Sequence, residues 1–188
     1  VSLLASKYDV WSRDCIAQAI VLPRGRLAKI RTSPFANLAE KSVSGAENCP
    51  LKVGDTYEID VPMRWADADA LNHLNNAVYF RYMEEGRISM FYTGNVPQSN
   101  QFGPVVVHCS CDFKKSIVYP ATVRVSHRLV RIGRSSMEHE VDLSVVTGDQ
   151  LELRAQGRSV MVWMDFAADK SHPWPPEVLE ALSRVVNR

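Results

Sequence analysis

Between Arg64 and Asn76 the chain concentrates the polar groups that carbonyl chemistry uses. These are the carboxylates of Asp67 and Asp69, the imidazole of His73, and the amides of Asn72, Asn75 and Asn76. From about Ala77 the pattern turns helical, with Tyr79, Phe80, Met83, Gly86 and Met90 on one stripe. A helix that begins directly after such a cluster offers unpaired backbone N–H groups and the positive end of its dipole to whatever the side chains hold. That combination suits a developing oxyanion, with a carboxylate beside it as base or nucleophile. Each residue also has a plainer use. Asn75 or Asn76 can cap the helix, Asp67 or Asp69 can close Asx-type turns, and His73 can be satisfied by backbone.

A second polar group lies further on. Arg131-Ile132-Gly133-Arg134-Ser135-Ser136 sets guanidinium groups, a glycine and two hydroxyls between two strand patterns. The group can grip phosphates or simply form an exposed turn. Lys114 and Lys115 can add to such a grip, or discourage stray strand pairing at a sheet edge.

The elements that must position these residues are set by periodicity. Thr56 to Pro62 alternates, with Tyr57, Ile59 and Val61 on one face, and reads as a strand leading into the polar cluster. After the helix, 93–104 is a polar loop whose length suits the rim of a site as well as a simple connection. Four strand patterns come next. In Val105 to Phe113 the odd positions share a face. In Thr122 to Ile132 it is Val123, Val125 and Leu129, with a bulge near Leu129 where the alternation breaks. Met137, His139, Val141, Leu143 and Val145 face one way in the third, and Thr147-Gly148-Asp149 turns the chain into the fourth. That last strand runs from Leu151 to Met164, with Leu151, Leu153, Ala155, Met161 and Trp163 on one face. Pro173-Trp174-Pro175-Pro176 stops it, and a short helix spans Glu177 to Val186.

The order is strand, helix, then a long antiparallel meander, an α+β class. One helix cannot cover both faces of five long strands, so the sheet should curl around it and meet a partner subunit. Gly86 inside the helix fits a close approach to the sheet, since glycine there costs about 1 kcal/mol that packing must repay.

Bulk properties narrow the class. The 188 residues are 46% hydrophobic and 23% charged with net charge +1, as in ordinary globular domains. Nothing in that balance favours nucleic acid or a membrane surface, and no apolar run reaches the roughly 18 residues of a membrane helix. Cys15, Cys49, Cys109 and Cys111 form no disulfide framework and no zinc-ligand spacing, which fits a reduced, cytoplasmic protein. Residues 1–52 carry more basic than acidic groups and no sustained period. They read as an N-terminal extension, poorly ordered or loosely docked, and organellar import through it stays open. The domain proper is expected over 53–188.

Three blocks carry a resemblance. Arg64-Trp65-Ala66-Asp67-Ala68-Asp69 is followed by His73-Leu74-Asn75-Asn76, Tyr79 and Glu84-Glu85-Gly86-Arg87. Later come Cys111-Asp112-Phe113-Lys114-Lys115 with Arg131 to Ser136, and Gly157-Arg158-Ser159-Val160-Met161-Val162-Trp163. Over roughly residues 53 to 182 the chain resembles the hotdog-fold acyl-CoA thioesterases of the 4-hydroxybenzoyl-CoA thioesterase type. The resemblance implies a five-to-six-stranded antiparallel sheet wrapped around one long helix, paired edge to edge into a dimer or a dimer of dimers. It places the active site at the subunit interface, with an acyl-CoA substrate and no cofactor beyond the coenzyme A that the substrate brings, and no metal.

It implies Asp69 as the catalytic carboxylate and the backbone N–H near Asn76 as the group polarising the thioester carbonyl. His73 is the third catalytic candidate. Asp67, Asn75, Tyr79, Arg131, Gly133, Arg134, Ser135 and Ser136 are the substrate-binding candidates. The chain departs from the family at Asn72, where glycine is usual; asparagine is the residue that best tolerates positive φ in its place. Two other readings are open: a hotdog enoyl-CoA hydratase or dehydratase pairing Asp69 with His73, and a non-catalytic acyl-CoA-binding protein.

Overall fold

A computed structural model describes residues 49–187. Strand β1 (Thr56–Pro62) leads through a short 3₁₀ turn at Trp65–Asp67 into helix α1 (Asn76–Thr93). Strands β2 (Phe102–Phe113), β3 (Thr122–Ile132), β4 (Ser136–Thr147) and β5 (Gln150–Asp165) come after it. A two-residue strand β6 (Lys170–Ser171) and helix α2 (Pro176–Ser183) end the described chain. Every pairing is antiparallel, in the order β1-β3-β4-β5-β2 with β6 added to β5. This is the expected α+β arrangement, a six-stranded sheet with one long helix packed on it: the hotdog fold. The extension expected over 1–52 falls outside the described residues except for its last four. Of these, Leu51 is buried in the core.

The strands alternate as their sequences dictate, and they depart from simple alternation where a bulge intervenes. β3 buries Val123, Val125 and Leu129 on the helix side, and its register against β4 slips between Leu129 and Arg131, where the sequence breaks period. A bulge the sequence did not announce lies between Val106 and His108 of β2. It splits the odd-numbered face expected there: Val106 pairs with buried Met161, whereas Val105 pairs with Val162. A third slip, between Leu143 and Ser144 against β5, leaves Leu151 and Leu153 exposed instead of on the core face with Ala155. β5 ends in the turn before β6, upstream of the proline-rich segment expected to stop it.

Helix α1 buries Val78, Tyr79, Tyr82, Met83, Gly86, Met90 and Phe91. Phe80, expected on the stripe, is exposed, and Tyr82 takes that place. Gly86 is where helix and sheet come closest. A Cβ there would sit 2.8 Å from His127 Nε2, and His127 is itself buried and bonded to the Met83 carbonyl at 3.0 Å. Gly86→Ala would gain about 1 kcal/mol of helix propensity, but overpacking costs about 1–3 kcal/mol when the neighbour cannot move. The balance is a loss of up to about 2 kcal/mol, so the variant is expected to melt below wild type by up to about 8 °C in a thermal scan.

Two apolar clusters hold the helix. One gathers Met90, Phe91 and Val96 with Trp163, Trp174, Val178 and Leu182 around its C-terminal end. The other packs Leu74, Val78, Tyr79, Tyr82 and Met83 against β3, β4, β5 and Ile117 at its N-terminal half. The loop over 93–104 therefore leaves the helix at the end opposite the polar cluster, about 27 Å away along an 18-residue helix. Within one chain it is a connection rather than a rim of that site.

Candidate active site

The polar cluster becomes a built loop because most of its backbone N–H groups find partners. Asp69 N–H donates to the His73 carbonyl at 2.7 Å, and Asn72 N–H donates to the Asp69 carbonyl at 3.1 Å. Asn72 adopts φ 59°, and its side chain donates to the Tyr119 carbonyl at 3.3 Å. Asparagine thus supplies the left-handed corner for which glycine is the usual residue. Leu74 N–H reaches the Ile117 carbonyl at 2.8 Å, and His73 bridges to Val118, so the loop leans on the β2–β3 connection.

The two aspartates part company. Asp67 is 3% exposed and its carboxylate is taken up inside. Oδ2 accepts from Tyr82 Oη at 2.8 Å and from Arg64 N–H at 3.0 Å, and Arg81 stands 3.7 Å from Oδ1. Burial, and next the bond to Asp67, raises the Tyr82 phenol. Asp69 is exposed. Its Oδ1 accepts from the backbone N–H groups of Leu71 at 2.8 Å and His73 at 3.0 Å. Those donors, His73 first, hold the Asp69 carboxyl below the usual range, so it is ionised at neutral pH.

The two asparagines also divide their labour. Asn75 is the N-cap: its Oδ1 accepts from Ala77 N–H at 3.0 Å, and its own N–H donates to the Asp67 carbonyl at 2.9 Å. Asn76 is the first helical residue, so its N–H has no acceptor within the helix and sits at the positive end of the dipole.

Asp69, His73, Asn76 and Tyr79 line one open cleft of about 240 Å³. Asp67 and Asn75 do not line it. The opposite wall is built by Phe113 at the end of β2 and by Lys114, Lys115 and Ser116 directly after it. Phe113 meets Tyr79 edge to face, with ring centroids 4.8 Å apart. Sequence reasoning passed over Phe113 and Ser116 as site residues. The available signal was an aromatic residue ending an alternating strand just before two lysines. Lys115 is paired with Glu152 at 2.8 Å.

The group from Arg131 to Ser136 is elsewhere in the chain. β3 starts at Thr122, opposite Pro62 and beside the Asp69 loop, and ends at Ile132, about 33 Å further along. Arg131 Nε donates to buried Glu138 at 3.1 Å, and Arg158 pairs with the same carboxylate. Gly133 N–H closes the turn onto the Ser136 carbonyl at 2.8 Å; Trp174 and Trp163 donate to the carbonyls of Arg134 and Ser135. One chain therefore does not bring these candidates to the cleft.

An ionised carboxylate and a capped helix end thus line one cleft within a hotdog fold. The chain belongs to the thioesterase-like superfamily, whose family model matches residues 63–182. It is 30% identical to the uncharacterized protein YsmA of Bacillus subtilis over 65% of this chain and 82% of that one. Among solved structures, the PA2801 protein of Pseudomonas aeruginosa matches with a TM-score of 0.62 and 33% identity, covering 67% of this chain and 97% of that one. A 4-hydroxybenzoyl-CoA thioesterase variant, solved with 4-hydroxybenzoyl-CoA, shares the fold with a TM-score of 0.61 at 14% identity, over 68% and 98% of the two chains. By fold and family this is a hotdog-fold member of the thioesterase-like superfamily. Among the described residues no helix is long and apolar enough to cross a membrane.

Proposed function

We propose that the protein hydrolyses an acyl-CoA thioester to the free acid and CoA, with Asp69 as the carboxylate that drives the step. The observation that carries this reading is the shared cleft, which sets Asp69, His73 and the N-terminus of α1 around one open space. Asp69 either deprotonates a water or attacks the carbonyl itself. In both cases the carbonyl oxygen gains negative charge, which the Asn76 N–H and the helix dipole are placed to receive. Collapse breaks the C–S bond and releases the thiolate of CoA, which takes up the proton drawn from water; on the nucleophilic route it leaves an acyl-Asp69 anhydride, which a water then hydrolyses to the free acid and the aspartate. His73 would contact the substrate or steady the Asp69 loop. The reading calls on no metal and no redox cofactor.

It also calls on a second copy. β2 is a sheet edge with Val105, Val106 and Val107 exposed, and an unpaired apolar edge of twelve residues invites antiparallel pairing. The Phe113 end of β2 lies at the cleft, and its other end lies toward the turn at Gly133–Ser135. A two-fold axis through β2 exchanges those ends, so the partner subunit's Arg134 and the partner subunit's Ser135 would approach the CoA phosphates at this cleft. Arg131, Gly133 and Ser136 would shape that turn from behind.

The test is thiol release from short, medium, long and aromatic acyl-CoAs, run beside size-exclusion chromatography. Turnover of at least one class by an oligomer is expected. Binding of acyl-CoA with no thiol release across the panel would replace this reading with a non-catalytic binding protein. A 3-hydroxyacyl product from an enoyl-CoA would replace it with a hydratase.

A further inference from the structure

We infer that Asp67, anchored by Tyr82 of α1, is the positioning residue that sets the Asp69 carboxylate against the Asn76 N–H; this rests on the thioesterase reading above. One residue holds the chain at three places. Its carboxylate takes the Tyr82 hydroxyl at 2.8 Å, on the second turn of the helix, and the Arg64 N–H at 3.0 Å, where the loop begins. Its carbonyl takes the Asn75 N–H at 2.9 Å, at the cap of the helix. Asn75 directly precedes Asn76, and Asp69 lies two residues beyond Asp67. Both reacting groups are thus one short, hydrogen-bonded path from the same buried side chain.

The cost of that arrangement points the same way. Asp67 and Tyr82 are 3% and 1% exposed, and the nearest cation, on Arg81, is 3.7 Å away and largely in solvent. A buried carboxylate whose ion pair is long and reaches out to a solvated arginine is expensive, and an apolar residue of similar size would serve packing alone at least as well. What a carboxylate supplies here is direction. It accepts from two specific donors and fixes the loop relative to the helix axis, on which the geometry of addition to a carbonyl depends steeply.

Tyr82→Phe removes only the hydroxyl. It is expected to lower kcat on the best acyl-CoA about tenfold or more while KM stays within about twofold, because positioning acts on the reacting atoms. The acidic limb of the kcat/KM–pH profile should move upward, as Asp69 loses the ordered N–H donors of Leu71 and His73. The other groups facing Asp69 across the cleft, His73, Tyr79, Lys114 and Lys115, are unchanged in the variant. A residue that merely packs would lower the melting temperature and leave kcat per folded enzyme and the acidic limb in place; that result overturns the inference.

Amide hydrogen exchange provides a readout independent of turnover. The N–H groups of Asn75 and His73 should exchange about tenfold faster in Tyr82→Phe, and unchanged protection at both overturns the inference even where no thioester is cleaved. Should Tyr82→Phe not fold, Asp67→Asn, which keeps the volume and removes the charge, takes its place in both measurements. If Asp69→Asn keeps the full rate, the thioesterase assignment of this cleft fails instead, and the exchange data still decide the role of Asp67.

Discussion

Asp69→Asn is expected to lower kcat/KM for acyl-CoA hydrolysis by about 10²- to 10⁴-fold, the range a positioned base or nucleophile contributes. Asparagine keeps the shape, and its Oδ1 can still accept from the Leu71 and His73 N–H groups, so the loop has no reason to rearrange. What is lost is the negative charge and the basic oxygen. Because those N–H donors hold the Asp69 carboxyl low, wild-type activity should stay flat from neutral pH down to the lower carboxylate range and fall only there. KM should change little, since asparagine keeps the shape of the loop. The measurement is steady-state thiol release with protein matched by circular dichroism. Equal rates in variant and wild type would remove Asp69 from the chemistry.

A second large effect is expected on stability. His127 and His139 are buried side by side beneath α1, with ring centroids 5.8 Å apart. Burial, and next the charge of His139, pulls His127 down to about 3; burial, and next Arg87, pulls His139 down to about 4. Both are neutral in the folded protein, whereas the unfolded chain protonates them below about pH 6.5. The folded pKa lies below the unfolded one, so the stabilisation is complete above 6.5 and drains away as pH falls toward 3–4. Each histidine then costs about 1.4 kcal/mol per pH unit. At pH 5 the pair together costs about 4 kcal/mol, a drop of roughly 8–16 °C in melting temperature for a domain of this size. Carboxylates contribute little at that pH, because they titrate nearer 4. Thermal melts at pH 7.5 and 5 measure the drop, and His139→Gln should remove about half of it. Identical melting temperatures at the two pH values would contradict the neutral, buried pair.

These expectations also mark how far the amino-acid pattern reaches. β1 and β3 were legible to the residue because a two-residue period runs through β1 and through β3 up to Leu129, each bounded by a proline or a glycine. The bulge near Leu129 was legible because Val130 and Ile132 visibly break that period. The bulge in β2 was not, since Val105, Val106 and Val107 are identical and carry no mark of which one is extra. β6 was missed because two residues have no period at all. Asp69, His73, Asn76 and Tyr79 share one cleft because they are neighbours on one loop and one helical turn. The burial of Asp67 was beyond reach: it sits two residues from exposed Asp69, and what holds it inside is Tyr82, fifteen residues on. His127 was overlooked although it stands two residues from both Val125 and Leu129 and so shares their buried face.

The sheet order has a consequence for folding. β3, β4 and β5 form a local meander, whereas Thr56 of β1 pairs with Arg128 and Phe102 of β2 pairs with Asp165. Each flanking strand closes a long loop, the non-local kind of contact that slows folding to milliseconds or longer. The cleft hangs on both flanks: the Asp69 loop is the continuation of β1, and Phe113 is the last residue of β2. A chain with only its meander in place has neither wall. The cleft is therefore complete only when both distant strands have docked.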